Sequence, residues 1–173
     1  MSMKRILLTL FFFSGSISLF SVNKDEHSTI RNILYERHGL LVQKNDGDNW
    51  ELFKQVVQWE GVPYRMGEKS KDGMGTTELI SEILDKAYAK TISGTPSSLF
   101  RKVKIKKKWE IPEQGDLLFF RFGEDNISHV AVFLKDKLFI HSTVKKGVSV
   151  DSLDDPFFSE NLYAIGKIPD CED

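Results

Sequence analysis

The sequence predicts an α+β fold, with N-terminal helices packed on a five- to six-stranded antiparallel sheet. Two observations carry this. Apolar residues recur at helical spacing through the first half of the chain. From about residue 102 the period drops to two, and short apolar runs alternate with turn signals. Helices first and strands afterwards is the element order of an α+β domain. The 173 residues are enough for one globular core.

Taken in order, Lys4 and Arg5 precede an apolar run from Ile6 to Phe13, then Ser14-Gly15-Ser16. This is the layout of a secretory signal peptide, expected over residues 1–21 with the cut between Ser18 and Val22. Serines and a glycine interrupt the stretch, which argues against a membrane anchor. No cysteine lies near the cut, so no lipid anchor is expected. An N-terminal helical extension follows over residues 22–48. Within it Ser28 to Arg37 reads as a helix with Ile30, Ile33 and Leu34 on one face and Ser28 as cap. Asn45-Asp46-Gly47-Asp48 reads as a boundary, so the main domain is expected over 49–173.

That domain opens with a helix from Asn49 to Trp59, with Trp50, Phe53, Val56 and Val57 on one face. Gly61 to Gly75 reads as loop. Thr77 to Ala89 is a helix whose Leu79, Ile80, Ile83, Leu84, Ala87 and Tyr88 form a buried stripe. Ser93 to Ser98 is a loop. The strand candidates are Lys102 to Lys106, Leu117 to Phe120, His129 to Leu134, Leu138 to His141, Val148 to Val150 and Leu162 to Ile168.

Bulk properties exclude some classes. A formal net charge of -1 gives no reason to expect nucleic acid or an anionic membrane as partner. The single cysteine, Cys171, forms neither an internal disulfide nor a cysteine-rich metal site. Arg101 to Lys108 carries six basic residues in eight positions. It reads as a solvated edge strand whose lysines discourage pairing with other chains, ahead of the alternative, attraction to an anionic envelope polymer.

Several motifs fall in one order. Gly61-Val62-Pro63-Tyr64-Arg65-Met66-Gly67 leads to Gly73-Met74-Gly75-Thr76-Thr77-Glu78-Leu79. Gly115-Asp116-Leu117-Leu118-Phe119-Phe120 opens the sheet. Ser128-His129-Val130-Ala131-Val132-Phe133-Leu134 precedes Ile140-His141-Ser142. From about Asn49 to Ile168 the chain resembles the NlpC family of papain-like cell-wall endopeptidases. Its loose pattern is G-x-P-Y-x-x-G, D-C-S-G-L, P-G-D-L-x-F-F, S-H-V-G-I-Y and I-H-A.

The resemblance implies a papain-like domain in which a thiolate at a helix N-terminus is served by a histidine base and an orienting group. His129 matches the base and His141 the orienting residue. Tyr64 matches the cleft tyrosine, and Ser128 precedes the base. The cysteine falls on Thr76. The aspartate before it is Gly75, its serine is Thr77 and its glycine is Glu78.

These departures oppose thiolate chemistry. A threonine hydroxyl is far less acidic than a thiol, its extra methyl restricts χ1, and Glu78 would repel an anion beside it. The bland reading of Thr76 or Thr77 is a helix cap.

The expectation is therefore an exported, periplasmic or extracellular pseudopeptidase. Its partner would be a peptidoglycan stem peptide or an envelope protein. No cofactor, no metal and no nucleic acid are expected, and no membrane span remains after signal cleavage. A zinc site on the two histidines lacks a clear third ligand, Glu78 being the nearest candidate. The alternative is an active amide hydrolase using Thr76 with His129 and His141 on γ-D-glutamyl to diamino-acid bonds. A third reading is an assembly protein that uses the sheet or the basic strand as an interface.

Overall fold

A computed structural model describes residues 17–43, 47–106, 110–123 and 126–168, with side chains from Glu26 onward. Cys171, Lys107, Lys108 and most of the expected signal segment lie outside the described residues. Five helices and eight strands follow in the order α1 (Ile17–His38), α2 (Trp50–Trp59), β1 (Lys69–Ser70), β2 (Gly73–Met74), α3 (Thr76–Tyr88), α4 (Pro96–Phe100), β3 (Lys104–Ile105), β4 (Leu117–Phe120), β5 (His129–Lys135), β6 (Leu138–Thr143), β7 (Gly147–Ser152), α5 (Pro156–Asn161) and β8 (Leu162–Lys167).

The helices form as their apolar spacing dictates. Leu52, Phe53, Val56 and Trp59 of α2 are buried, as are Leu79, Ile80, Ile83 and Leu84 of α3. Asn49 ties the two together. Its Oδ1 accepts from Leu52 N at 3.1 Å, capping α2. Its Nδ2 donates to the Ala87 carbonyl at 2.9 Å, satisfying an orphan acceptor at the end of α3. The first helix is longer than expected and starts at Ile17 rather than Ser28. No proline or glycine interrupts Ile17 to His38, so Ser28 sits inside the helix and does not cap it. Ile30 and Leu34 are buried, and His27 stacks on Trp50 at 4.3 Å.

Six strands form one antiparallel sheet in the order β3-β8-β4-β5-β6-β7, and β4 to β7 run as a meander. The chain then departs from it. β8 returns to the free side of β4 and separates it from β3.

The sheet is covered on both faces. Leu117, Phe119, Val130, Val132 and Ile140 join the α2 and α3 core. Leu118, Phe120, Ala131, Phe133 and Phe139 close the other face with Phe158 of α5.

Two short helices occupy segments read without them. Thr95 accepts from Ser98 N ahead of Pro96, and Asp155 accepts from Phe157 N ahead of Pro156. A capping side chain followed by proline at the first helical position starts a helix in as few as five residues. Inside the segment read as loop, β1 and β2 form a small hairpin that ends one residue before α3.

Within the basic segment Lys104–Ile105 is an edge strand, since among the described residues β3 pairs only with β8 and both its residues are exposed. Lys106 is the exception to the solvated reading. Its ammonium, 6 % exposed, meets Asp116 Oδ2 at 2.8 Å. Burial works against that charge, but the Asp116 and Glu113 carboxylates outweigh it and hold the ammonium above its ordinary pKa.

One glycine fixes the approach of a loop to the sheet. Gly147 opens β7 at φ +73°, and a Cβ there would run into the Val62 carbonyl, with Pro63 Cα at 3.1 Å. Val148 N donates to Val62 O at 2.8 Å and Gly61 N to Val148 O at 2.9 Å. The loop that carries Tyr64 is thereby laced onto β7. Gly147→Ala is expected to cost about 1–3 kcal/mol in urea melts, from strain at positive φ and a backbone overlap that no rotamer relieves. A loss under 0.5 kcal/mol would show that the loop is free to move aside.

Candidate active site

Thr76 is the first residue of α3 and follows the N-cap Gly75. The turn before it is held on three sides. Gly75 N donates to Glu68 O at 2.9 Å, and Met74 N donates to Pro63 O at 2.9 Å. The Ser142 hydroxyl on β6 donates to Met74 O at 2.7 Å. The second of these bonds brings the Pro63-Tyr64 segment beside the helix start, where Tyr64 is half-buried.

The Thr76 hydroxyl is spent. Its Oγ1 donates to the Ser142 carbonyl at 2.8 Å. No hydrogen bond joins Thr76 to His129 among the described residues. Gly75 offers no side chain to cap α3. Glu78 fills that space instead, since a Cβ at Gly75 would overlap its carboxylate. Thr77 Oγ1 lies 3.3 Å from the same carboxylate. A negative group therefore already occupies the positive end of the α3 dipole.

The histidines form a separate cluster. Strand alternation sets His129 of β5 and His141 of β6 against the aromatic face of the sheet. The His129 ring lies 5.4 Å from that of Phe122, and the His141 ring 5.1 Å from Phe139 and 5.3 Å from Phe158. His129 Nε2 is 2.9 Å from His141 Nδ1, and His141 Nε2 is 2.8 Å from Asp151 Oδ2. His129 is 7 % exposed and His141 fully buried. Burial, with a smaller contribution from His141, pushes the His129 pKa down to about 3. At neutral pH its ring is uncharged and a weak base.

Asp151 was not legible as a site residue. It stands ten positions beyond His141, and only the β6–β7 register, which pairs Phe139 with Asp151, brings it within reach. The one signal in the sequence is polar Ser149 and Asp151 alternating with apolar Val148 and Val150. Burial opposes charge on Asp151, but bonds from His141, Lys146 and Ser149 win and lower its pKa to about 2.

The remaining predicted residue, Ser128, is exposed, and its hydroxyl accepts from Phe122 N at 3.2 Å, which shapes the turn into β5. Among the described residues no group of three or more His, Cys, Asp or Glu side chains is arranged to hold a metal ion. A cavity of about 520 Å³ adjoins His141 and Asp151, with Phe122, Val144, Lys145 and Phe157 in its wall. A larger one, about 630 Å³, opens beside Asp48, Gln114 and Lys135 and includes none of the candidate residues.

The chain is similar to known proteins. The chain is 29 % identical over 119 residues to the probable endopeptidase NlpC of Escherichia coli K12, covering 68 % of this chain and 76 % of that one. It is 22 % identical over 155 residues to the murein DD-endopeptidase MepS/murein LD-carboxypeptidase of the same organism, covering 84 % and 80 %.

Among solved structures, an NlpC/P60 family protein from Bacillus cereus superposes with a TM-score of 0.60 at 24 % identity, over 68 % of this chain but only 39 % of that one. RipD of Mycobacterium tuberculosis, described as a non-catalytic NlpC/p60 domain protein adapted to peptidoglycan binding, superposes at 0.52 with 14 % identity, over 69 % and 95 %. The two structural likenesses speak to fold alone. Among the described residues, no helix is long and apolar enough to cross a membrane. The NlpC/P60 family pattern itself matches residues 61–167, the stretch that holds Tyr64, Thr76 and both histidines, and the chain belongs to that family.

Proposed function

We propose that this chain is an exported, catalytically degenerate member of its family of peptidoglycan hydrolases. It binds a peptidoglycan stem peptide, or a protein partner, in the cleft its relatives use for cutting. On this reading residues 1–21 are a signal peptide, 22–48 a helical extension and 49–173 the binding domain, with Thr76 in the nucleophile's place. The observation that carries the reading is the state of the α3 N-terminus. The Thr76 proton goes to the Ser142 carbonyl, and the Glu78 carboxylate lies beside Gly75, so a negative charge already sits at the end of the dipole that an anionic nucleophile would use. An uncharged His129 adds to this, because it supplies no imidazolium to pair with a thiolate.

The test is hydrolysis and binding on purified sacculi and muropeptides. The native protein should release no fragments, and Thr76→Ala should leave muropeptide affinity unchanged. Fragment release that vanishes in Thr76→Ala would establish the active hydrolase instead. Absence of any binding to sacculi or muropeptides would shift the partner to an envelope protein.

Thr76→Cys alone should stay near background. The Glu78 carboxylate, as a like charge beside the sulfur, leaves about 10- to 1000-fold less thiolate at neutral pH. Adding Gly75→Asp and Glu78→Gly should raise turnover above the single variant. Robust turnover from Thr76→Cys alone would sink the electrostatic part of the argument.

A further inference from the structure

We propose that Asp151 is a positioning residue that sets which nitrogen carries the proton on both site histidines, leaving His129 Nδ1 bare as a hydrogen-bond acceptor for the ligand. The argument is one of donors and acceptors. Asp151 Oδ2 takes His141 Nε2 at 2.8 Å and the Ser149 hydroxyl at 3.0 Å, while Oδ1 takes the Lys146 ammonium at 2.7 Å. All three partners donate, so the carboxylate acts purely as an acceptor. His141 must then hold a proton on Nε2. With that single proton on its ring, His141 has none left for Nδ1, so the 2.9 Å contact with His129 is donated from His129 Nε2. The His129 proton is thereby committed to Nε2. Its Nδ1, which no described residue engages, is left as a lone pair.

The charged groups facing this pair are few. Asp151 comes from β7, Lys145 and Lys146 from the β6–β7 turn, and Asp155 from the start of α5, all four in the wall of the cavity beside His141. Protonating His141 would reverse the chain. Its Nδ1 would donate to His129 Nε2, and the His129 proton would move to Nδ1.

The chemical consequence is a ligand preference. A bare Nδ1 accepts from a peptide N–H or an ammonium and gives nothing to a carbonyl. This selects the donor end of a peptide or amine for the place beside His129. The inference rests on the proposed function only in taking His129 as the group that meets the ligand.

The experiment reads the rings themselves, in the free protein. Long-range 1H–15N correlation spectra of the full chain at pH 7.5 should show both histidines protonated on Nε2. In Asp151→Asn the Lys146 ammonium still demands an oxygen, so the amide nitrogen turns to His141 Nε2. A donor there expels the Nε2 proton. His141 should move to the Nδ1–H form, and His129 should follow.

The expected result is therefore inversion of both ring patterns. Ser149→Ala, which removes a donor from the same carboxylate, should leave both unchanged. Native rings protonated on Nδ1, or an Asp151→Asn spectrum with His129 unaltered, would overturn the proposal. The native spectrum alone decides it if the variant fails to fold. Either outcome is independent of whether the protein cuts or binds stem peptides.

Discussion

Asp116→Ala is expected to destabilise the fold by about 3–5 kcal/mol, one of the two largest effects foreseen for a single site. The Lys106 and Asp116 side chains are 6 % and 4 % exposed and lie 2.8 Å apart. Asp116 Oδ2 also accepts from Glu113 N at 2.7 Å. Removing the carboxylate leaves the Lys106 ammonium with only the Ile111 carbonyl at 3.2 Å and the exposed Glu113 carboxylate at 3.3 Å, and deprives Glu113 N of its acceptor; the desolvation of these groups, rather than the lost attraction, sets the size of the loss. Glu113→Ala is the control. Its side chain is 67 % exposed at 3.3 Å from the same ammonium, and solvent screening should keep its effect below about 1 kcal/mol. A double variant, Lys106→Met with Asp116→Leu, should recover much of the stability that Asp116→Ala loses. Urea denaturation of the four proteins checks the set. An Asp116→Ala loss under about 1 kcal/mol would mean that water reaches Lys106.

The second large effect is with pH. His129 titrates near 6.5 in an unfolded chain and near 3 in the folded one. Between those values the unfolded state binds more protons, so stability falls as pH falls through the window. The loss from this residue should be about 2 kcal/mol between pH 6.5 and 5, with a limiting slope of about 1.4 kcal/mol per pH unit. Asp151 adds to it only lower down, since its folded pKa is about 2 and its usual value 3.8. Its contribution is complete above that usual value and is lost as pH drops toward 2. His129→Gln keeps a donor toward His141 but cannot titrate. It should flatten the profile from pH 6.5 to 5 while leaving the acid limb near pH 3 in place. Equal slopes in the native protein and the variant would assign the effect to other groups.

The fold class was legible because its signals are local. The stripe from Leu79 to Leu84 and the apolar strand runs are each decided within one element. Three features were not legible, and each depends on what meets across the chain. The position of β8 depends on which strand edge stays free after β4 to β7 have paired. The ion pair of Lys106 needs Asp116, ten residues away immediately before β4, which β8 separates from β3. Asp151 needs the register of a hairpin. The two short helices belong elsewhere, because Thr95-Pro96 and Asp155-Pro156 are local start signals, but helices of five and six residues are too short to show an apolar period. At the candidate site the motifs flagged Thr76, His129 and His141 individually. What they could not convey is direction. The sequence does not say that the Thr76 hydroxyl turns to Ser142 or that Glu78 folds back over Gly75.

That last arrangement binds two positions to a common history. A Cβ at 75 would meet the Glu78 carboxylate, the far end of a flexible side chain, so a small neutral residue fits once that carboxylate swings outward, while an acidic one adds repulsion between like charges. The backbone at 75, with φ -75° and ψ 162°, suits any residue. Each position therefore sets the cost of change at the other, and the two form an epistatic pair. A lineage that releases Glu78 first makes every later substitution at 75 easier, an acidic one most of all.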